Sequence, residues 1–150
     1  MANYAVLQIR QGDRALHDKI LGASLPSTQA LAYLGDAAYS LFVRRMLVAT
    51  GLSKAKDLNR EAQKYVTAEA QAAMYRKIEH LLLDDEREVF KRAANSTHLN
   101  RPKHASVTDY RYATGFEAVI GMLAYIKDEE RLEELLKEAH KEISENDTED

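Results

Sequence analysis

Apolar residues recur along most of this chain at the three- and four-residue spacing of helices, and no stretch alternates strictly between apolar and polar residues as a half-buried strand does. Only 2 prolines and 6 glycines break the pattern. The pattern therefore predicts an all-α fold of about seven helices. We expect helices over residues 13–21, 27–49, 53–66, 67–83, 85–95, 108–125 and from 128 towards the C-terminus.

Short polar side chains mark several of these helix starts, because Ser, Thr and Asp oxygens accept hydrogen bonds from the free N–H groups of a first turn. Gly22 and Gly51 follow two of the predicted helices, at positions where glycine commonly ends a helix. The predicted capping residues are Ser27 or Thr28, Thr67, Asp84 or Asp85, and Thr108 or Asp109.

The predicted second and sixth helices are the most apolar. The stretch 110–126 is apolar on almost every side beyond Arg111, which is typical of a helix buried on most of its surface. Gly35 interrupts the second helix, and Gly115 and Gly121 interrupt the sixth. An interior glycine costs about 1 kcal/mol relative to alanine, and a close approach between helices explains why that cost is accepted. We expect the two helices to cross in tight contact near Gly35 and Gly115, at the centre of the domain.

The composition excludes several kinds of chemistry. The chain has no cysteine, which excludes a disulfide framework, a thiolate zinc site and a cysteine nucleophile. No apolar run approaches the roughly 20 residues of a membrane span, and the first 20 residues lack the continuous apolar core of a secretory signal. A chain of 150 residues that is 45% hydrophobic fits one compact domain. We expect a cytoplasmic protein with no membrane partner.

The formal net charge of −3 conceals an asymmetry. Residues 128–150 hold 11 acidic and 3 basic side chains, whereas residues 1–127 hold 13 acidic and 18 basic ones. A basic body with an acidic tail is compatible with binding a polyanion such as nucleic acid, and equally with charges that serve only solubility. Charge alone leaves both interpretations open.

Each of the two central helices carries one acid in its apolar middle, Asp36 and Glu117. No Lys or Arg stands three or four residues from either acid, so no basic side chain of the same helix neutralises it. Buried carboxylates need a partner or a metal, and two adjacent ones repel unless a cation lies between them. Mg²⁺ suits such an oxygen site. The alternative is a hydrogen bond between one acid and a buried tyrosine, with the other acid paired to Arg44 or Arg111.

Two stretches of the sequence resemble a known family. Residues 31–45, LAYLGDAAYSLFVRR, resemble the signature helix of the ribonuclease III catalytic domain, and residues 114–123, TGFEAVIGML, resemble its second acidic motif. The resemblance covers roughly residues 25–127. Most family members carry two further acids where this chain has Ala32 and Thr114. That pattern resembles the Mini-ribonuclease III subfamily, short bacterial forms that lack a double-stranded-RNA-binding domain.

The resemblance implies an all-α homodimer that hydrolyses double-stranded RNA with Mg²⁺, for which Mn²⁺ can substitute. It assigns catalytic and metal-binding roles to Asp36 and Glu117, while Thr114 either orients a metal-bound water or is an ordinary helix residue. The implied substrate is the precursor of 23S ribosomal RNA, with a ribosomal protein as a further candidate partner. We expect residues 1–127 to form the catalytic domain and residues 128–150 to add an amphipathic helix and an acidic tail to it.

The resemblance implies that no RNA-binding module is appended, so we expect the catalytic dimer itself to hold the duplex. The segment 87–111 is basic and polar, with Glu88 and Asp109 as its only acids, and such a segment suits the phosphates and 2′-hydroxyls of A-form RNA. Members of the subfamily often carry an Arg where this chain has Ala94. The candidate RNA-binding residues are Lys91, Arg92, Asn95, Arg101, Lys103, His104 and Arg111.

Two other functions stay open at this point. The same fold serves non-catalytic proteins that bind double-stranded RNA or associate with ribosomes, and a helical scaffold for protein partners would account for the apolar helices and the acidic tail. Neither alternative gives a reason for Asp36 and Glu117 to be kept together. The pair of acids therefore favours the metal-dependent endoribonuclease.

Overall fold

The computed structural model describes residues 25–96 and 106–146, with side chains described up to residue 141. These residues form helices and connecting turns without any strand, which confirms the all-α prediction. The helix predicted over residues 13–21 lies outside the described residues. The helices are α1 (Thr28–Ala49), α2 (Ala55–Val66), α3 (Ala68–Ile78), a 3₁₀ turn (Glu79–Leu81), α4 (Asp84–Asn95), α5 (Val107–Tyr125) and α6 (Glu129–Asn146).

The helix starts follow the expected capping chemistry at α1 and α3, with corrections at α4 and α5. Helix α4 begins at Asp84 directly after its capping residue Leu83, so neither Asp84 nor Asp85 caps it as predicted, and the Glu86 side chain accepts the Leu83 N–H instead. The hydroxyls of Ser27 and Thr67 accept hydrogen bonds from the backbone three residues on, at 3.1 and 3.2 Å, as predicted for α1 and α3. Helix α5 is capped by Ser106, whose hydroxyl accepts a bond from the Asp109 N–H at 3.0 Å, and not by Thr108 or Asp109. Ser106 has the extended backbone of a capping residue, so the helix begins one residue earlier than predicted.

Helix α5 lies at the centre of the domain and packs against α1, α3, α4 and α6. Its six consecutive residues 118–123 are all buried. Six residues cover more than one helical turn, so α5 is enclosed on every side over this stretch. This confirms the prediction of a helix buried on most of its surface. Among the described residues, no helix is both long and apolar enough to span a membrane.

The close approach of α1 and α5 occurs at Gly35 and Gly121. A Cβ atom on Gly35 would lie 2.8 Å from the backbone nitrogen of Gly121 and 2.6 Å from the carbonyl carbon of Glu117. A Cβ atom on Gly121 would overlap the backbone carbonyl of Leu31. Real side chains never approach backbone atoms this closely, so only glycine fits at either position.

The predicted crossing at Gly35 is therefore correct, but its predicted partner Gly115 is wrong. Gly115 contacts α4, where an added Cβ would strike the ring of Phe90. Gly115 and Gly121 are six residues apart, which separates them by about 120° around the helix axis. They therefore meet different neighbours.

The last helix is held to the body of the domain by a buried ion pair. The Arg131 guanidinium donates to both carboxylate oxygens of Glu86, at 3.0 and 3.1 Å, and also to the Leu81 carbonyl at 2.6 Å. The Glu86 carboxylate also accepts the Leu83 N–H at 2.8 Å, which fixes the start of α4. Glu86 is fully buried, so its charge depends on these partners.

The glycine crossing predicts a ranking among alanine variants. Gly35→Ala and Gly121→Ala place a methyl group against backbone atoms that cannot move without separating α1 from α5. We expect each variant to lower the free energy of unfolding by about 3 kcal/mol or more, as measured by urea denaturation. Gly115→Ala is the matched control. Its methyl group meets the Phe90 side chain rather than backbone atoms, so we expect it to lower the free energy of unfolding by less. A Gly35→Ala variant no less stable than Gly115→Ala would contradict this packing.

Candidate active site

An open cleft of about 440 Å³ lies beside the crossing of α1 and α5, and both predicted acids line it. Helix α1 contributes Ala32 and Asp36, which are one turn apart, and α5 contributes Thr114 and Glu117. Gly35 faces the backbone of α5, so the next residue, Asp36, comes to the rim of the crossing beside Glu117. The two acids, 81 positions apart in sequence, thus meet in one cleft.

The two carboxylates differ in burial, which corrects part of the prediction. Asp36 is exposed in the cleft and Glu117 is half-buried, whereas the sequence predicted that both would be buried. The difference arises because Gly35, rather than Asp36, points directly at α5. Neither acid forms an ion pair with any Lys or Arg among the described residues, so the predicted alternative partners Arg44 and Arg111 do not neutralise them.

Glu117 is held in an environment that disfavours its charged form. Burial raises the pKa of Glu117 to about 7, and the negative charge of Asp36 adds to the rise. A hydrogen bond from Gln71 acts in the opposite direction by stabilising the carboxylate. A cation in the cleft would relieve the repulsion between the two acids, which is the electrostatic condition that a metal site requires.

The oxygen atoms around the cleft fit a divalent cation such as Mg²⁺, which binds one or two carboxylates and keeps several waters. Asp36 and Glu117 would supply the carboxylates. In the described parts of the chain, no group of three or more His, Asp and Glu side chains is arranged to hold a metal. The two positions where the family resemblance leads one to expect further acids, Ala32 and Thr114, do face this cleft.

Thr114 faces the cleft, but its hydroxyl group already donates a hydrogen bond within α5. Its Oγ1 donates to the Tyr110 carbonyl at 2.9 Å, one turn earlier in α5. A hydroxyl group that donates one bond still has lone pairs for accepting another. Thr114 therefore offers the cleft an acceptor for a donor such as a water molecule.

Sequence reasoning missed Gln71, a neutral residue that the structure places in this cleft. Gln71 is only 2% exposed, and its Nε2 donates to the Val66 carbonyl at 3.1 Å. The sequence did contain a signal for it. Gln71, Tyr75 and Ile78 recur at helical spacing, so a polar residue stands on the apolar face of α3.

The predicted RNA-binding residues lie in three settings. Lys91 and Arg92 are exposed on α4, where Arg92 pairs with Glu88 at 3.2 Å. Arg111 donates to the Ala94 carbonyl at 3.0 Å and to Asn95 at 2.7 Å, so these residues fasten the start of α5 to the end of α4. Three of the predicted residues lie outside the described residues: Arg101, Lys103 and His104.

Known proteins resemble this chain over most of its length. The Ribonuclease III domain family matches residues 29–129. Mini-ribonuclease 3 of Streptococcus pneumoniae is 44% identical over 109 residues, covering 71% of this chain and 85% of that protein. Mini-ribonuclease 3 of Enterococcus faecalis is 41% identical over 118 residues, covering 77% and 89%. A crystal structure of a Fusobacterium nucleatum protein gives a TM-score of 0.67 at 32% identity, covering 74% of this chain and 89% of that one.

Fold, site and comparisons agree on the class of protein: an all-helical nuclease domain whose two central helices each bring one acid to a shared cleft. The chain belongs to the ribonuclease III family of endoribonucleases. Within that family it is similar to the Mini-ribonuclease 3 proteins, which confirms the subfamily predicted from residues 31–45 and 114–123.

The raised pKa of Glu117 predicts that the free energy of unfolding depends on pH. The folded chain binds a proton at Glu117 between the ordinary glutamate pKa and about pH 7, whereas the unfolded chain does not. This contribution to stability is therefore lost as the pH rises through that window. Glu117→Gln carries no charge, so we expect it to match the native chain at pH 5 and to exceed its free energy of unfolding by roughly 2 kcal/mol at pH 8.

The measurement is urea unfolding at both pH values in the presence of a chelator. Glu69→Gln, on an exposed part of α3, controls for the general effect of removing one negative charge. If Glu117→Gln changed the free energy of unfolding by the same amount at pH 5 and at pH 8, the raised pKa of Glu117 would be contradicted.

Proposed function

We propose that this chain is a Mg²⁺-dependent endoribonuclease that cleaves double-stranded RNA and matures the precursor of 23S ribosomal RNA. The observation that carries the proposal is the meeting of Asp36 and Glu117 in one cleft, with no basic side chain among the described residues to neutralise them. The similarity to proteins named Mini-ribonuclease 3 supports the same activity. Mn²⁺ is expected to replace Mg²⁺, since both prefer oxygen ligands.

We assign a separate role to each polar residue of the cleft. Asp36 and Glu117 would hold the divalent ion, directly or through water. When bound, such an ion activates water for attack on a phosphodiester and stabilises the charge that develops on the phosphate. The Thr114 hydroxyl donates a hydrogen bond to the Tyr110 carbonyl, so we assign it the role of accepting a hydrogen bond from water in the cleft. The half-buried position of Glu117 keeps bulk water from one side of its carboxylate.

Duplex binding is assigned to the basic segment 87–111. Lys91 and Arg92 are exposed on α4 and are proposed to contact phosphates, together with Arg101, Lys103 and His104. Arg111 and Asn95 bond to each other, so we assign them to fastening the start of α5 to the end of α4 as well as to RNA contact. These contacts would fix the register of the duplex without reading its sequence.

We also propose a homodimer formed through α1. Leu34, Leu41 and Val48 follow one another at seven-residue spacing, so they lie on one face of this helix, and all three are exposed. Tyr33 is exposed beside them and also lines the cleft. A row of exposed leucine and valine side chains marks an association surface. Two copies related by a twofold axis would cover both rows and bring one cleft to each side of the interface.

The activity is tested by cleavage of a labelled RNA duplex in Mg²⁺. We expect Glu117→Gln to lower the cleavage rate at least about 100-fold while still binding the duplex, because it removes a negative charge and keeps the side-chain shape. Glu69→Gln, outside the cleft, should cleave like the native chain. Cleavage by Glu117→Gln at the native rate would overturn the assignment. Duplex binding without cleavage by the native chain would favour the non-catalytic RNA-binding protein.

The dimer is tested by measuring the mass of the chain in solution. The native chain should show about twice its 17.0 kDa mass by light scattering at micromolar concentration. Leu41→Glu places a charge at the centre of the apolar row and should yield a monomer. Val107→Glu is the matched control, since Val107 is 53% exposed and Leu41 is 50% exposed. A native chain of monomeric mass would rule out this interface.

A further inference from the structure

Gln71 has a polar side chain that is almost completely enclosed and lines the cleft that holds Glu117. A side-chain amide brings two donors and two acceptor lone pairs into the interior, and buried polar atoms normally find partners. The hydrogen bonds that this amide makes and lacks therefore indicate which kind of group binds next to it.

The orientation of the amide follows from its first partner. Its nitrogen lies 3.1 Å from the Val66 carbonyl oxygen at the end of α2, and a carbonyl oxygen only accepts. This contact fixes the NH₂ end of the amide. Gln71 also lowers the pKa of Glu117 by stabilising its carboxylate. Only the NH₂ end of the amide can do so, because a carboxylate accepts hydrogen bonds and does not donate them.

The remaining atom of the amide, Oε1, is buried and accepts no hydrogen bond from any described residue. An unpaired buried acceptor costs about 1–3 kcal/mol, and this one belongs to a side chain that lines the cleft. We assign the missing donor to the cleft, because Gln71 lines it. The neighbouring cleft positions Ala32 and Thr114 do not provide it, because alanine has no polar group and the Thr114 proton goes to Tyr110.

The donors expected in this cleft are the water molecules on a divalent cation. With only two carboxylates at hand, a cation such as Mg²⁺ keeps several waters, and the protons of these waters point away from the metal towards nearby acceptors. Groups that hydrogen-bond to metal ligands, rather than to the metal itself, orient those ligands and strengthen metal binding. A neutral amide oxygen suits this role without adding to the repulsion between Asp36 and Glu117.

We propose that Gln71 is a positioning residue of the site. Its amide N–H group orients the Glu117 carboxylate, and its Oε1 accepts a hydrogen bond from a water bound to the divalent cation. This inference rests on the proposed metal-dependent function. It assigns Gln71 part of the role that the missing acids at positions 32 and 114 would otherwise have.

The test compares Gln71→Met with Gln63→Met in the full chain. Methionine keeps the length and volume of Gln71 but neither donates nor accepts strongly, and Gln63 is an exposed glutamine on α2 outside the cleft. The probe is Mn²⁺ alone, titrated at pH 8 without RNA and followed by electron paramagnetic resonance. We expect Mn²⁺ to bind Gln71→Met about 10- to 100-fold more weakly than the native chain, and Gln63→Met to bind like the native chain.

Two further measurements separate positioning from a structural role. Thermal unfolding without metal should give Gln71→Met a midpoint close to the native one, because the variant removes the unpaired oxygen together with the hydrogen bond to Val66. The Mg²⁺ concentration for half-maximal cleavage should rise while the rate at saturating Mg²⁺ largely recovers. Should Gln71→Met fail to fold, Gln71→Asn keeps the amide, but its shorter side chain does not reach both Val66 and Glu117, and it should show the same weaker binding.

The possible failures are distinguishable. Native Mn²⁺ affinity in Gln71→Met or Gln71→Asn, in a chain whose native form binds Mn²⁺ and cleaves RNA, would overturn the role of Gln71 and leave the proposed function standing. A native chain that binds no Mn²⁺ and cleaves nothing would overturn both.

Discussion

The contact between the backbones of α1 and α5 at Gly35 and Gly121 determines the rest of the structure. Because neither position has room for a Cβ atom, the two helices come close enough for Asp36, the residue after Gly35, to line the same cleft as Glu117. The same contact leaves α5 enclosed by its neighbours. Two glycines that weaken their helices locally thus bring together two acids that are distant in sequence.

The resulting site is electrostatically unfavourable in the absence of a cation. Burial and the charge of Asp36 disfavour ionisation of Glu117, whereas Gln71 stabilises its carboxylate. The amide oxygen of Gln71 is itself buried and accepts no hydrogen bond from the described residues. Sites that bind ligands commonly sacrifice stability in this way. The stability lost here is carried by the rest of the domain, through the apolar core and the buried Glu86–Arg131 pair.

Much of the fold, and the meeting of Asp36 and Glu117 in one cleft, could be predicted from sequence. Helical spacing and capping residues such as Ser27 defined the elements, and the isolated acids Asp36 and Glu117 pointed to the cleft. The partner of Gly35 could not be predicted, since choosing between Gly115 and Gly121 requires knowing how α5 is rotated relative to its neighbours. Gln71 was missed for a related reason, because a neutral residue in a good helix gives no chemical signal until tertiary packing buries it.

Anomalous X-ray diffraction from crystals of the native chain grown with Mn²⁺ tests the central claim most directly, because it locates the cation independently of activity. We expect an anomalous peak in the cleft, bounded by the carboxylates of Asp36 and Glu117 and with Gln71 on the side of α3. An ordered cleft without such a peak, or Mn²⁺ bound only at surface acids of α6, would contradict it.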